Sequence, residues 1–314
     1  MERTGTPEVS PRTAPAGAAG QPGNTTLKAA AIAGRSRNFL GNRFVYAVIS
    51  QRAHGLSIGI NLSPSQDCNF NCVYCEVQRQ PAPAERAVHL PTLTAELRRM
   101  LDLVQTGKLR ELPGYHSLPP ELLELKEVAL SGDGEPTLSP VFAEVVQAVA
   151  HLRAQRTFPY FKIVLITNAT GLHLPQVQAG LRLLTPQDEI WAKLDAGTQE
   201  YLEHINRPRR ATKPANPSLV QVLDNILSLA RQRPVVIQSL FPLLAGEEPP
   251  ANEIEEYVLR LRGLKEANAQ IPLVQIYSAH RPAVQADCGH LPLKCLSRVA
   301  QRVRDVTGLR AEVF

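Results

Sequence analysis

The chain has 314 residues, 44% of them hydrophobic, which supports one large domain or two small ones and excludes wholesale disorder. Its five cysteines are too few for a disulfide scaffold, and no apolar run approaches the roughly 20 residues that a membrane-spanning helix needs. We therefore expect a soluble, cytoplasmic protein with reduced thiols and no membrane partner, and a formal charge of +5 permits an RNA partner without indicating one.

The N-terminal segment, residues 1–24, is rich in Pro, Gly, Ala and Thr and contains almost no large apolar side chain. Such a segment cannot offset the entropy of ordering its own backbone, so residues 1–24 are predicted to be a disordered tail. Residues 25–55 are interpreted as a lead-in segment, residues 56–280 as the main domain, and residues 281–314 as a C-terminal extension packed on it.

Apolar, strand-like runs alternate with helix-length segments along the main domain. Several runs are almost continuously apolar, which is typical of strands that are covered on both faces. The six predicted strands are Leu56–Leu62, Leu125–Gly132, Phe161–Asn168, Glu189–Asp195, Val235–Phe241 and Leu273–Ser278. Six strand–helix units indicate parallel strands with crossover helices, and they favour an α/β fold with an open, partial (β/α) barrel over a closed barrel of eight units.

The segments between the strands carry helical apolar stripes. One begins near Leu93, where apolar side chains recur every three or four residues as far as Val104. Another follows Ser139 and Pro140, which we expect to be the N-cap and the first position of a helix. Ligands of parallel α/β sheets bind at the carboxyl ends of the strands, so the loops after the strands are where chemistry is expected.

Three of the five cysteines, Cys68, Cys72 and Cys75, lie together in "CNFNCVYC", in the loop after the first predicted strand. A structural zinc site normally takes four ligands, whereas this loop offers three thiols. Three thiolates can hold three irons of a [4Fe-4S] cluster and leave the fourth iron open to a further ligand. The spacing therefore favours an iron–sulfur cluster, with structural zinc as the alternative.

The sequence "CNFNCVYC" resembles the cysteine motif of the radical S-adenosylmethionine (radical SAM) enzymes, and "SGDGEPTLSP" after the second predicted strand resembles their glycine–glutamate motif. Within that superfamily, "GINLSPSQDCNFNCVYCEVQR", "GDGEPTL", "HINRP" and "IYSAHRP" look most similar to the branch of the wyosine-forming tRNA enzymes. The enzymes of that branch carry a second cluster on cysteines upstream of the motif. This chain has no cysteine before Cys68, so the resemblance does not extend to their second cluster.

The resemblance implies an enzyme with two cofactors. One is a [4Fe-4S] cluster on Cys68, Cys72 and Cys75, and the other is S-adenosyl-L-methionine, chelated to the open iron. It further implies reductive cleavage of S-adenosyl-L-methionine to a 5′-deoxyadenosyl radical, which abstracts hydrogen from a substrate that the sequence does not identify. An electron donor such as flavodoxin or ferredoxin is the expected partner. The alternatives are a radical SAM enzyme that modifies tRNA or another RNA, and a non-catalytic iron–sulfur or zinc protein.

Further cofactor contacts are expected from the loops after the other strands. In "GDGE", the backbone at Asp133 and Gly134 and the side chain of Glu135 are suited to the cationic amine of S-adenosyl-L-methionine. Lys193 and Asp195 lie two residues apart on one face of a strand, where they would pair with each other or contact the ribose and carboxylate. The remaining candidates are Tyr74, against the adenine, and Asn168, at the ribose or carboxylate.

Other charged and thiol groups fall outside this set. Arg281, after the sixth predicted strand, is a candidate clamp for an anionic group. The basic stretch "NRPRRATK", residues 206–213, is interpreted as a solvated loop. Cys288 and Cys295, with His290 between them, are too few to hold a second cubane, so no second cluster is expected, although an auxiliary metal site there is the alternative.

Overall fold

The computed structural model describes Met1 and residues 39–79, 87–209, 217–279 and 283–314. Arg281, residues 210–213 of the basic stretch and all of the predicted tail except Met1 lie outside the described residues. The strands are β1 (Val45–Ser50), β2 (Gly55–Asn61), β3 (Leu125–Ser131), β4 (Lys162–Thr167), β5 (Glu189–Lys193), β6 (Val236–Leu240), β7 (Pro242–Leu244), β8 (Val274–Tyr277), β9 (Cys288–His290) and β10 (Ala311–Val313).

Seven α-helices connect the strands in the described part of the chain. They are α1 (Leu90–Gln105), α2 (Phe142–Ala154), α3 (Pro175–Leu181), α4 (Gln199–Ile205), α5 (Leu219–Ala230), α6 (Ala251–Glu266) and α7 (Leu293–Thr307). None of the helices among these residues is long and apolar enough to cross a membrane.

Eight strands form one sheet in the order β1-β2-β3-β4-β5-β6-β8-β10. The β1 strand is antiparallel to β2, and the other neighbours in the sheet are parallel. The six predicted strands correspond to β2, β3, β4, β5, β6 and β8, which confirms the α/β class and the mostly parallel sheet. The described sheet has eight strands rather than six because β1 and β10 add one strand to each edge. Strands β7 and β9 form a separate antiparallel pair.

The prediction that Ser139 caps the second helix and that Pro140 is its first residue was wrong. The loop after β3 forms a short 3-10 turn over Pro136–Leu138, and the Ser139 N–H closes this turn on the Pro136 carbonyl at 3.1 Å. The α-helical backbone therefore begins only at Phe142, and the N-cap position falls to Val141, which makes no side-chain capping bond.

The two faces of the sheet differ in what covers them. Ile163, Ile190 and Ile237 belong to the large hydrophobic cluster that also contains the apolar side chains of the helices. Val164, Trp191 and Val236 occupy alternate positions and form a small cluster of their own on the opposite face. Most of the apolar core therefore lies between the helices and one face of the sheet.

A buried ion pair fixes the approach of α2 to the turn before β5. The Asp188 side chain is inaccessible, and it accepts bonds from the Arg153 guanidinium through both oxygens, one of them at 2.9 Å, and from the Ile163 N–H at 2.7 Å. Burial alone would raise the pKa of Asp188, but these bonds and those from Thr185 outweigh it and lower the pKa. The ionised carboxylate thus holds three segments together.

Candidate cofactor site

The cysteine loop, residues 68–75, follows the carboxyl end of β2 and is bonded along its backbone to the end of α4. The Val73 N–H donates to the Ile205 carbonyl at 2.8 Å, and the Asn71 N–H donates to the Asn206 carbonyl at 3.0 Å and to the Arg207 carbonyl at 3.1 Å. The last carbonyls of a helix have no partner within the helix. The loop supplies donors to them, so α4 determines where the middle of the cysteine loop lies.

The loop after β3 packs directly against the start of the cysteine loop. The Glu135 N–H donates to the Asp67 carbonyl at 3.1 Å. A Cβ atom added to Gly134 would lie 1.9 Å from that same carbonyl oxygen, a distance at which no side chain fits. Gly134 therefore lets the two loops meet backbone to backbone.

The buried carboxylate of Glu135 joins the ends of β3 and β4. Its Oε1 accepts from the Thr137 N–H at 3.1 Å, from the Thr137 hydroxyl at 2.7 Å and from the Thr167 hydroxyl at 2.6 Å. Its Oε2 accepts from the Asn168 N–H at 2.7 Å. Burial raises the pKa of Glu135, although these bonds oppose the rise. Because a carboxylate oxygen can accept two bonds, Oε2 retains capacity for one further donor.

The side chain of Asn168 links the loop after β4 to the cysteine loop. Its amide donates to the side-chain oxygen of Asn69, Oδ1, at 2.8 Å, and its own Oδ1 accepts from the Thr170 hydroxyl at 2.6 Å. Asn69 in turn donates to that hydroxyl at 2.8 Å. All three side chains are buried. Asn168 Oδ1 also accepts from the Thr170 N–H at 3.1 Å, so only the second hydrogen of the Asn168 amide is left for a cofactor.

A second buried network lies on the other side of the cysteine loop. The Tyr74 hydroxyl donates to Asp195 Oδ2, and Asp195 Oδ1 accepts from the Leu240 N–H at 2.8 Å. The Asn206 amide nitrogen lies 2.8 Å from Asp195 Oδ2, 3.1 Å from the Tyr74 hydroxyl and 3.5 Å from Cys72 Sγ. This network ties the loop after β5 to the residues on either side of Val73.

The ammonium group of Lys193 is held between two aromatic rings. It lies 5.1 Å from the ring centroid of Tyr74 and 5.3 Å from that of Tyr277, and it donates to the Tyr277 hydroxyl at 2.7 Å. Burial would lower the pKa of Lys193, but Tyr277 and the Asp195 carboxylate outweigh it and raise the pKa. Lys193 and Asp195 do share one side of the sheet, but their hydrogen bonds go to other partners.

The three thiols of the cysteine loop are partly buried and close enough to influence one another. Burial is the main cause that raises the pKa of Cys68 to about 11 and that of Cys72 to about 12, and the charge of Cys75 contributes to the rise at Cys68. Among the described residues, no group of His, Cys, Asp or Glu side chains is arranged to hold a single metal ion. Three thiolates are the number of protein ligands that a [4Fe-4S] cluster with one open iron takes.

One cavity of about 180 Å³ brings the predicted residues together. Nine of the ten predicted site residues line it, namely Cys68, Cys72, Cys75, Tyr74, Gly134, Glu135, Asn168, Lys193 and Asp195. The tenth, Asp133, is bonded nearby, where its carboxylate accepts from the Asn61 amide at 2.8 Å. The spacing of the predicted loops thus leads to one shared cavity, although which atoms contact a cofactor stays a prediction.

Sequence reasoning missed three polar residues of the cavity, Ser131, Thr167 and Asn206, of which Asn206 lies farthest from the predicted strand ends. Asn206 opens the basic stretch whose composition indicates a solvated loop, yet its side chain is 2% exposed and lines the cavity, so that interpretation was wrong at this position. The reason is that Asn206 directly follows α4, which packs on the cysteine loop. The "HINRP" motif marks this place in the sequence, but its asparagine stands outside the strand-end loops.

The two C-terminal cysteines lie in different elements. Cys288 begins β9, while Cys295 is in α7, where its thiol donates to Glu248 Oε1 at 2.9 Å. Within the described part of the chain, no metal-ion site forms around them. The prediction that they hold no second cluster stays open to experiment.

Comparison with known sequences gives relatives that match more than half of this chain. No protein-family model matches the chain. A UPF0026 protein of Synechocystis sp. is 31% identical over 190 residues, which are 60% of this chain and 60% of that protein. A UPF0026 protein of Helicobacter pylori strain J99 is 27% identical over 220 residues, which are 67% of this chain and 59% of that protein. The chain thus spans about three fifths of the length of these curated relatives.

Comparison with solved structures identifies the fold. A radical SAM methyltransferase from Sphaerobacter thermophilus matches with a TM-score of 0.56 at 14% identity, over 86% of this chain and 68% of that chain. SuiB of Streptococcus suis, bound to the precursor peptide SuiA, matches with a TM-score of 0.53 at 13% identity, over 82% and 48%. TYW1 with a lysine-pyruvate adduct matches with a TM-score of 0.51 at 14% identity, over 83% and 84%. The chain has an α/β fold similar to that of radical SAM enzymes.

Proposed function

We propose that the protein is a radical SAM enzyme that binds a [4Fe-4S] cluster and S-adenosyl-L-methionine in the cavity beside the cysteine loop. One observation carries the proposal: the three thiols line the same cavity as Glu135, Asn168, Lys193 and Asp195, which lie at the carboxyl ends of three further strands. A non-catalytic iron–sulfur protein needs its cysteines but has no need of a cavity with polar groups beside them. The arrangement therefore favours an enzyme over a structural cluster.

The proposed scaffold is an open, partial (β/α) barrel. Strands β1 and β10 are the edges of the described sheet and do not pair with each other. Nevertheless, the rings of His54, in the turn between β1 and β2, and Phe314, after β10, have centroids 6.4 Å apart. A flat sheet of this width would hold its edges roughly 30 Å apart, so the contact supports strong curvature of the sheet.

Each group of cavity residues has a proposed task. The cysteine thiolates would hold the cluster, while the remaining lone pair of Glu135 Oε2 and the backbone of the "GDGE" loop suit the ammonium of S-adenosyl-L-methionine. The protonated Lys193 suits its carboxylate. Leu202 and Val222, which also line the cavity, would keep water away from the reacting atoms. When bound, the two cofactors together would supply reductive cleavage of the sulfonium and abstraction of hydrogen from a substrate.

The test is anaerobic reconstitution with iron and sulfide, followed by reduction in the presence of S-adenosyl-L-methionine. We expect about four irons and four sulfides per chain and formation of 5′-deoxyadenosine, measured by liquid chromatography. Dithionite serves as the chemical reductant, and reduced flavodoxin and ferredoxin are compared with it as the proposed protein donors. The substrate is not needed for this measurement.

The control is a variant in which Cys68, Cys72 and Cys75 are all replaced by Ala. This variant should bind no cluster and form no 5′-deoxyadenosine, while its apo form should unfold in urea much as the parent does. A parent that takes up four irons but forms no 5′-deoxyadenosine with any reductant would support the non-catalytic alternative. A parent that takes up one zinc in place of a cluster would refute the proposal.

A further inference from the structure

The side chain of Asn206 has one half that is satisfied by the protein and one half that is not. Three acceptors surround its amide nitrogen: Asp195 Oδ2 at 2.8 Å, the Tyr74 hydroxyl at 3.1 Å and Cys72 Sγ at 3.5 Å. The side-chain oxygen, Asn206 Oδ1, is buried and has no hydrogen-bond partner. These neighbours also determine the orientation of the side-chain amide. In the reversed orientation its oxygen would face the Asp195 carboxylate, and two acceptors would repel each other.

A buried amide oxygen without a donor needs a physical explanation. Leaving such a group unpaired costs free energy, because the oxygen has given up its bond to water and gained nothing in return. The backbone of Asn206 is held at both ends, which limits movement of the side chain toward water. Its N–H donates to the Leu202 carbonyl at 2.8 Å, and its backbone carbonyl accepts from the Asn71 N–H at 3.0 Å. Since Asn206 lines the cavity, a ligand in the cavity can supply the donor that the protein does not.

We infer that Asn206 is a positioning residue that contacts both cofactors of the proposed enzyme. Its N–H donates to the Cys72 sulfur, and its carbonyl oxygen accepts a hydrogen bond from an N–H or O–H group of S-adenosyl-L-methionine. This inference rests on the proposed function. Hydrogen bonds to the sulfurs of a cluster are among the factors that set its reduction potential, and they favour the more negative, reduced state. Asn206 would therefore raise the potential of the cluster and strengthen cofactor binding.

The test compares the parent with Asn206→Leu, which is similar in size and lacks both polar groups, and with the smaller Asn206→Ala. The matched control is Asn225→Ala. The Asn225 amide bonds to the carbonyls of Ala169 at 3.0 Å and Thr170 at 3.1 Å, and the residue does not line the cavity. For each reconstituted protein, we measure iron content, the midpoint potential of the cluster and the affinity for S-adenosyl-L-methionine by calorimetry.

We expect all variants to keep the iron content of the parent. Both Asn206 variants should show a more negative midpoint potential and roughly tenfold weaker binding of S-adenosyl-L-methionine, whereas Asn225→Ala should leave both unchanged. Two fragments then identify the donor. If the ammonium bonds to Asn206, the affinity for methionine falls in the Asn206 variants; if a ribose hydroxyl does, the affinity for 5′-deoxyadenosine falls.

Failure of the inference is distinct from failure of the proposed function. A parent that binds no cluster or no S-adenosyl-L-methionine would refute the proposed function, and the inference with it. A parent that binds both, with Asn206 variants of unchanged affinity, would overturn the inference alone. If Asn206→Leu does not fold, Asn206→Ala decides by the same criterion. If an Asn206 variant with a full cluster has the midpoint potential of the parent, the proposed bond from Asn206 to the Cys72 sulfur is refuted.

Discussion

Gly134→Ala should force the cysteine loop away from the loop after β3. The added Cβ would lie 1.9 Å from the Asp67 carbonyl oxygen and 2.7 Å from Ser63 Cβ, whereas Cβ contacts essentially never fall below 3.0 Å. The backbone segments must therefore separate by about 1 Å, because neither can rotate out of the way as a flexible side chain could. The bond from the Glu135 N–H to the Asp67 carbonyl would be lost with that movement.

The expected loss of stability follows from these two effects. Overpacking of a tight contact costs about 1–3 kcal/mol, and the lost hydrogen bond adds about 0.5–1.5 kcal/mol. We expect the free energy of unfolding of the apo protein, measured in urea, to fall by about 1.5–4.5 kcal/mol. We also expect less iron after reconstitution, because Cys68 directly follows the displaced Asp67.

The matched control is Gly263→Ala. Gly263 lies inside α6, and an added Cβ there would meet no atom within 4 Å. Alanine favours a helix over glycine, so this variant should be more stable than the parent by roughly 0.5–1 kcal/mol and should bind the same amount of iron. If Gly134→Ala proved as stable as the parent and bound as much iron, the proposed contact between the two loops would be refuted.

Three further predictions concern groups away from the cavity. Asp188→Ala should lower the free energy of unfolding by about 3–5 kcal/mol, because it removes the carboxylate that pairs with Arg153 and leaves the buried Ile163 N–H without its acceptor; Glu255→Ala, at an exposed ion pair, should change the urea midpoint far less. Burial raises the pKa of Glu127, so the parent should lose stability relative to Glu127→Gln as the pH rises from about 4.5; a difference that is constant from pH 4 to pH 8 would contradict this. The double variant Cys288→Ser, Cys295→Ser should keep the iron content and the 5′-deoxyadenosine yield of the parent; loss of about half the iron would indicate a second cluster.

The central strands could be predicted from the sequence because both of their faces are buried. The β2 strand, whose seven residues are all buried, reads as an almost continuous apolar run that Ser57 and Asn61 interrupt. The β1 strand alternates buried and half-exposed residues and follows a segment with no strand pattern, so its sequence does not separate it from the lead-in segment. The β10 strand has three residues at the end of the chain, which is too short for any periodicity. Its place in the sheet comes from pairing with β8.

The cavity was predictable to the extent that strand ends supply it. Cysteine spacing and the order of the strands suffice to bring Cys68, Glu135 and Lys193 to one edge of the sheet. The partners of these residues were not predictable. Glu135 bonds to Thr137, Thr167 and Asn168 rather than pointing freely into the cavity, because a buried carboxylate takes every donor within reach. Such bonds depend on side-chain geometry that no spacing encodes.

The backbone bonds between the cysteine loop and the end of α4 also set an order of events during synthesis. Asn206 follows Cys72 by 134 residues, so the ribosome makes the three thiols long before it makes the helix that positions them. Until α4 has emerged, the N–H groups of Asn71 and Val73 lack their carbonyl partners. The middle of the cysteine loop then has no fixed position. Delivery of iron and sulfide to a nascent chain would meet thiols without a fixed arrangement. For the proposed cluster, we therefore expect insertion to follow the docking of α4, on a chain that is largely complete.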